Sequence, residues 1–136
     1  MADEKTFHLT ITTPNRVFYE GDVIMVELNT TEGQLGVLRE HIPLTSVLAP
    51  GACYIHESSD EIKVCALHSG FVEILQDSMS ILAEVVEWPD EIDIERAKEA
   101  QIRAQRRLAE VPTGTNIARA TLALKRSAAR IEAVKK

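Results

Sequence analysis

The sequence predicts an α+β protein: an antiparallel β-sandwich or barrel over residues 1–88, then an antiparallel two-helix hairpin over 89–136. Two observations predict it. The hydrophobic period changes from two residues to 3.6 near Asp90, and the balance of charge changes sign at the same place. Residues 1–88 carry four Lys/Arg against fourteen Asp/Glu, whereas residues 89–136 carry eleven against seven. Opposite signs let the two halves lie against each other, or send the basic half toward an acidic partner.

In the first half, "VIMVELNT" places Ile24, Val26 and Leu28 on one face of a strand. "SMSILAEVVE" does the same with Met79, Ile81, Ala83 and Val85. "FHLTIT", "EIKVCAL" and "FVEIL" share the β-branched and aromatic enrichment of strands. Between these runs lie "TPN", "EG", "TTEG", "APG", "HESSDE", "HSG" and "QDS", which are turn chemistry. Many short strands at this spacing make a sandwich or a barrel.

In the second half, Ile94, Ala97, Gln101, Ala104 and Leu108 form one helical stripe, and Ile117, Ala120, Leu124, Ser127 and Ile131 form another. Asp93 or Asp90 can cap the first helix, and Thr115 or Asn116 the second. "VPTG" stops one helix and reverses the chain. The stripes are rich in alanine and serine, so the seam packs closely but buries little area at about 25 cal/mol per Å². A hairpin so held is expected to close, open or dock elsewhere.

Hydrophobic residues at 45% and charged residues at 26% describe a soluble globular chain. No apolar run nears the roughly 18 residues of a membrane span. The start, "MADEKTFHL", has neither the basic nor the apolar region of a secretory signal, so a cytosolic-side protein is expected. The basic excess is too small for a nucleic-acid binder. Cys53 and Cys65 read as buried free thiols within strands. His8, His41, His56 and His68 are dispersed without metal-ligand spacing and read as strand or loop residues. Met25 and Phe71 read as core, and Trp88 either as a staple over the end of the sandwich or as a hinge contact whose fluorescence reports hairpin movement.

"GQLGVLREHIPL" holds two glycines and a histidine, but not the further glycines and Lys-Ser/Thr of a phosphate loop. His41 has no carboxylate and nucleophile at recognisable spacing. The stretch reads as a strand, a sharp loop and a second strand led by Pro43. Gly33 completes the preceding turn, and Gly36 marks a bulge or a close backbone approach.

"TPNRVFYEGDVIMVELNTTEGQLGVLREHIPLTSVLAPG", then "HSGFVEI", "IDIERAKEAQIRAQRRL" and "ARATLALKRSAARI", resembles the epsilon subunit of F-type ATP synthases over nearly the whole chain. "GxLGVLxxHxPL" joined to "IDxxRA" is specific as a pair. The resemblance implies a sandwich of about ten strands, resting on the gamma subunit and the membrane c-ring, and a regulatory hairpin. Extended along gamma and toward the alpha and beta subunits, the hairpin obstructs ATP hydrolysis; folded on the sandwich, it permits turnover. The implied protein is a non-catalytic rotor subunit with no required cofactor, peripheral on the cytoplasmic face of a bacterial membrane and bound there only through the complex.

Arg96, Arg103 and Arg107 follow i, i+7, i+11 spacing, and Arg119, Arg126 and Arg130 repeat it. Each trio spans about 40° of arc beside its apolar stripe, so the guanidinium groups of a closed hairpin converge and repel unless an anion separates them. Two readings stand. One is a solvated flank of helix-surface charges. The other, implied by the resemblance to the ATP-binding members, is a regulatory ATP site. It comprises Glu87, Ile92, Asp93, Arg96 and Ala97, with Arg103, Arg119, Arg126 and Arg130 following. Arg103, Arg126 and Arg130 would hold phosphates, and Asp93 and Arg96 would position base and ribose.

Two other functions compete with the rotor subunit. A small β-sandwich enzyme needs a nucleophile with its base, or a metal cluster, and the sequence displays neither. A free-standing ATP-binding sensor would not accompany gamma. The connection "EVPTGTN", with its proline and glycine, departs from the family pattern and is expected to shift the switch without abolishing it.

Overall fold

The computed structural model describes residues 5–111 and 114–135. Pro112 and Thr113 of the expected Val111–Gly114 reversal lie outside the described residues. Among the described residues, ten strands form two five-stranded sheets. They are β1 (Phe7–Thr12), β2 (Val17–Val23), β3 (Met25–Thr30), β4 (Gly33–Val37), β5 (Leu44–Val47), β6 (Gly51–His56), β7 (Ile62–Leu67), β8 (Gly70–Ile74), β9 (Ser78–Ala83) and β10 (Val86–Glu87). One sheet has the order β2-β1-β9-β8-β5 and the other β10-β7-β6-β3-β4. Pairing is antiparallel throughout except between β1 and β9, which run parallel.

The period-two pattern builds the core. Leu9, Ile11, Val26, Ile55, Val72 and Ile81 have no exposed surface, and they alternate with outward polar residues. The alternation breaks at two places that the sequence reading ran straight through. A bend at Ile24 between β2 and β3 puts Val23 and Val26 inward and leaves Ile24 half-buried. A second bend after Ala83 exposes Val85 and buries Val86 instead. Each bend shifts the phase by one residue, and one residue moves a side chain to the other face.

Phe71 is not core: it stands on the outer face of β8, 46% exposed, and Met25 is half-buried. Gly36 lies in regular β3–β4 register with open space over it, so neither a bulge nor a close approach explains it. Gly33, at φ 126°, does make the turn. His41 lies in the loop before β5, its Nδ1 donating to the carbonyl of Ile42. Cys53 and Cys65 are free, buried and directly opposite on β6 and β7.

After β10, Trp88 stacks on Phe18 with ring centroids 4.3 Å apart and meets Tyr19 edge-on, covering the end of the core. A short 3₁₀ turn, Pro89–Glu91, follows. Glu91 accepts from the Trp88 amide at 2.9 Å and from Arg16 Nη2 at 3.0 Å. Helix α1 (Ile94–Glu110) is capped by the Asp93 side chain, which accepts from the Arg96 amide, and α2 (Ile117–Lys135) by Asn116. The α1 stripe is buried or half-buried along its length; on α2 only Ile117 of the expected stripe is exposed. Helix α2 packs on β6 and β7, and α1 packs on α2.

Candidate functional site

The hairpin meets the sandwich at a polar cluster built from alternation on both sides. Val86 points into the core, so its neighbour Glu87 points outward, beneath α2. On α2, Arg126, Ala129, Arg130 and Ala133 share a face distinct from the α1 seam, and both alanines are buried. Arg130 Nε donates to Glu87 Oε1 at 2.7 Å, and His68 Nε2 donates to the same oxygen at 3.1 Å. Arg126 Nη2 donates to Ser69 Oγ at 3.2 Å. Two buried atoms, Arg126 Nε and His68 Nδ1, have no hydrogen-bond partner among the described residues. Burial pushes the Glu87 pKa up, but the hydrogen bonds from His68 and Arg130 outweigh it and bring it from 4.5 to about 2. Farther along α2, Tyr54 of β6 donates to Glu132 at 2.6 Å.

A second cluster lies at the turn end of the hairpin. Arg103 and Arg107 of α1 and Arg119 of α2 line one cleft of about 660 Å³, together with Ala104, Ala120 and the polar Thr115 and Asn116. The arginine columns therefore do converge, but not as two intact trios. Arg119 joins Arg103 and Arg107, while Arg126 and Arg130 turn toward Ser69 and Glu87. Asp93 is occupied as the α1 cap, Ile92 is half-buried just before it, Ala97 is buried in the helix seam and the Arg96 side chain is exposed.

Among the described residues, no helix packs on the outer face of the other sheet. There Val17, Thr12, Leu82, Phe71 and Val47 lie in register across all five strands. Four of the five are large apolar side chains between 44% and 60% exposed. The next row is polar, with Glu20, Thr10, Ser80, Glu73 and Thr45. Among the described residues, no group of three or more His, Cys, Asp or Glu is placed to hold a metal, and no helix is long and apolar enough to cross a membrane.

Residues 6–89 match the family described as the ATP synthase delta/epsilon chain β-sandwich domain, and residues 90–135 match its long α-helix domain. The chain belongs to the ATP synthase delta/epsilon family. It is 40% identical over 133 residues to the ATP synthase epsilon chain of Caldanaerobacter subterraneus, covering 98% of this chain and 96% of that one. It is 44% identical over 131 residues to the epsilon chain of Shouchella clausii, covering 96% of each. Among solved structures, the mitochondrial ATP synthase of Euglena gracilis (OSCP/F1/c-ring) contains a chain of the same fold. The TM-score is 0.80 at 21% identity, over 96% of this chain and 82% of that one.

The contacts between the two delta/epsilon domains rest on Glu87, Arg126 and Arg130, which the sequence marks, and on His68 and Ser69, which it does not. His68, which reads as a strand or loop histidine, is 1% exposed and bonded to Glu87. Neither His68 nor Ser69 carries a local pattern. The available signal was weak: a histidine and a serine in a tight "HSG" turn, brought under the basic helix only by the sheet order.

Proposed function

We propose that the chain is the non-catalytic central-stalk subunit of an F-type, proton-translocating ATP synthase, coupling rotation to ATP synthesis and restraining ATP hydrolysis through its hairpin. Its family membership and the names of its relatives support the assignment. One observation carries the mechanism: the two outer faces of the sandwich differ. The β6–β7 face takes α2 through a thin alanine layer and the Glu87 cluster, while the opposite face presents an uncovered apolar row. A protein attached to a rotor by the second face remains free to release the hairpin from the first.

The apolar row, flanked by Glu20 and Glu73, is the surface we assign to docking on gamma, with the c-ring beside it. The basic hairpin, once extended, is drawn to acidic stretches of the alpha and beta subunits. On this reading the protein is peripheral on the cytoplasmic face of a bacterial membrane, held there only by the complex, with no nucleic acid among its partners. The row argues against a free-standing sensor, because such a patch exposed on a monomer invites association.

ATP is the regulatory ligand we assign to the closed hairpin, and no other cofactor is required. Arg126 and Arg103 offer guanidinium donors that no carboxylate occupies among the described residues, whereas Arg130 must be shared with Glu87. A ligand of this kind shifts the hairpin only as far as it prefers the closed form.

The test is ATPase activity of the reconstituted catalytic head at low ATP, with the full chain and with a chain ending at Glu91. Removal of the hairpin is expected to raise hydrolysis, and unchanged activity refutes the regulatory role. Phe71→Glu is expected to weaken co-purification with gamma. Titration of ATP into the wild type and Arg126→Ala is expected to give different heats; identical heats refute the nucleotide site.

A further inference from the structure

We infer that the outer edge of β4 is a docking surface for a second copy of this chain, joined strand to strand. Each five-stranded sheet ends in two edge strands, β2 and β5 in one and β10 and β4 in the other. Edge strands present unpaired backbone N–H and C=O groups, which proteins blunt with charge, proline, irregularity or short length. Three of these edges are blunted. Strand β2 carries Glu20 and Asp22 and shifts register against β1 at Ile11–Thr12. Strand β5 has four residues and follows Pro43, and β10 has two. Strand β4 reads GQLGV, with no charge, no proline and five consecutive pairs with β3. Among the described residues, 34–37 make no backbone hydrogen bond outside that ladder.

The sequence of β4 fits the same sequence run in reverse. A strand on this edge lies beside Gly36, where an added Cβ would meet nothing within 4 Å. Antiparallel pairing centred on Leu35 sets Gln34 of each copy opposite Gly36 of the other, so the amide side chain covers the bare glycine backbone. Leu35 then meets Leu35 on the opposite side of the sheet, where each already packs against its own core. No two charges face each other along the strand. Side chains alternate across a sheet, so only shifts by two residues keep the faces matched. Sliding one way sets Gly36 against Gly36 and leaves the glycines uncovered. Sliding the other way sets Leu35 against Gly33 and loses the apolar contact. Helix α2 lies on β6 and β7, and β3 separates them from β4, so the pairing leaves the docked hairpin in place.

Sedimentation velocity of the full-length chain over a range of concentrations tests the pairing. A five-residue ladder lies at the small end of interface sizes, so a monomer–dimer equilibrium with Kd on the order of 0.1 mM is expected. Gln34→Lys/Gly36→Lys should weaken it by about tenfold or more, because like charges then oppose each other across the two strands. Within its own chain Gly36→Lys faces Glu27, so the fold is kept. Treatment of Leu35→Cys with oxidised glutathione should link two chains, since directly opposed residues stand about 4.5–5.5 Å apart at Cα, within reach of a disulfide. Gln34→Cys, opposed to a glycine, should link far less, and the buried Cys53 and Cys65 should leave the wild type unlinked. A chain still monomeric at about 1 mM overturns the proposal. So does a dimer that the double variant leaves unchanged. Equal linking at positions 34 and 35 overturns it too, because the contact is then not centred on Leu35.

Discussion

Arg130 Nε and Glu87 Oε1 lie 2.7 Å apart across 43 residues of sequence, joining the last turns of the helical hairpin to the final strand of the sandwich. The same carboxylate oxygen takes His68 Nε2 at 3.1 Å. The hairpin is therefore held by directional bonds to one acid as well as by small apolar contacts. Directional bonds can be broken one at a time.

Arg130→Ala is expected to loosen the hairpin from the sandwich without unfolding either. A hydrogen bond to a charged group contributes about 1.5–3 kcal/mol. Deuterium exchange at residues 117–135 should rise about tenfold or more, while β6 and β7 stay protected. Equal protection of α2 in the variant and the wild type would remove this bond from the docking account.

Docking should depend on pH at both ends of the scale. The Glu87 pKa is lowered to about 2 in the docked form, so its contribution is complete above the ordinary 4.5 and is lost as the pH falls toward 2. The Tyr54 pKa is pushed up to about 12, first by its hydrogen bond to Glu132 and then by burial. Its contribution is complete below the ordinary 10 and is lost as the pH rises toward 12. Helix-to-sandwich distances measured by paired fluorophores should be constant between about pH 5 and pH 9 and lengthen outside that window.

A chain ending at Glu91 should melt above one ending at Trp88. The longer chain keeps the Arg16–Glu91 pair and the bond from the Trp88 amide to Glu91. An exposed pair of this kind adds about 0.5–1 kcal/mol. That corresponds to a rise of roughly 2–8 °C in Tm for a domain of this size. Coincident melting curves would show that the 3₁₀ turn does not belong mechanically to the sandwich.

Gly70→Ala should disrupt the sandwich, because Gly70 sits at φ 147° and an added Cβ would fall 2.0 Å from the Leu82 carbonyl oxygen. Strand β8 must then part from β9. A loss of about 2–4 kcal/mol in urea denaturation is expected, in the range of strained backbone combined with overpacking. Gly36→Ala meets open space and should cost less than about 1 kcal/mol.

The strand and helix periods were legible because each reports a local rule. Leu9, Ile11, Val26, Leu28, Met79 and Ile81 alternate as a half-buried strand must, and Ala97 and Ala104 repeat as a helix seam must. The errors fall where locality ends. The phase slips at Ile24 and Val85 come from bends between strands. Phe71, the kind of residue that belongs to a core, lies in an exposed cross-strand row that no single strand encodes.

By itself the sequence determined the two halves, their periods, the Asp93 and Asn116 region as helix starts, and the opposition of charge between an acidic sandwich and a basic hairpin. Only the tertiary structure decided which sheet face receives α2, that Glu87 binds Arg130 and His68 together, and that the six arginines divide three, two and one, with Arg96 standing apart. Periodicity and net charge are properties of neighbours along the chain. Which distant groups share a carboxylate depends on strand order and helix rotation, which arise only when the whole chain buries its apolar surface at once.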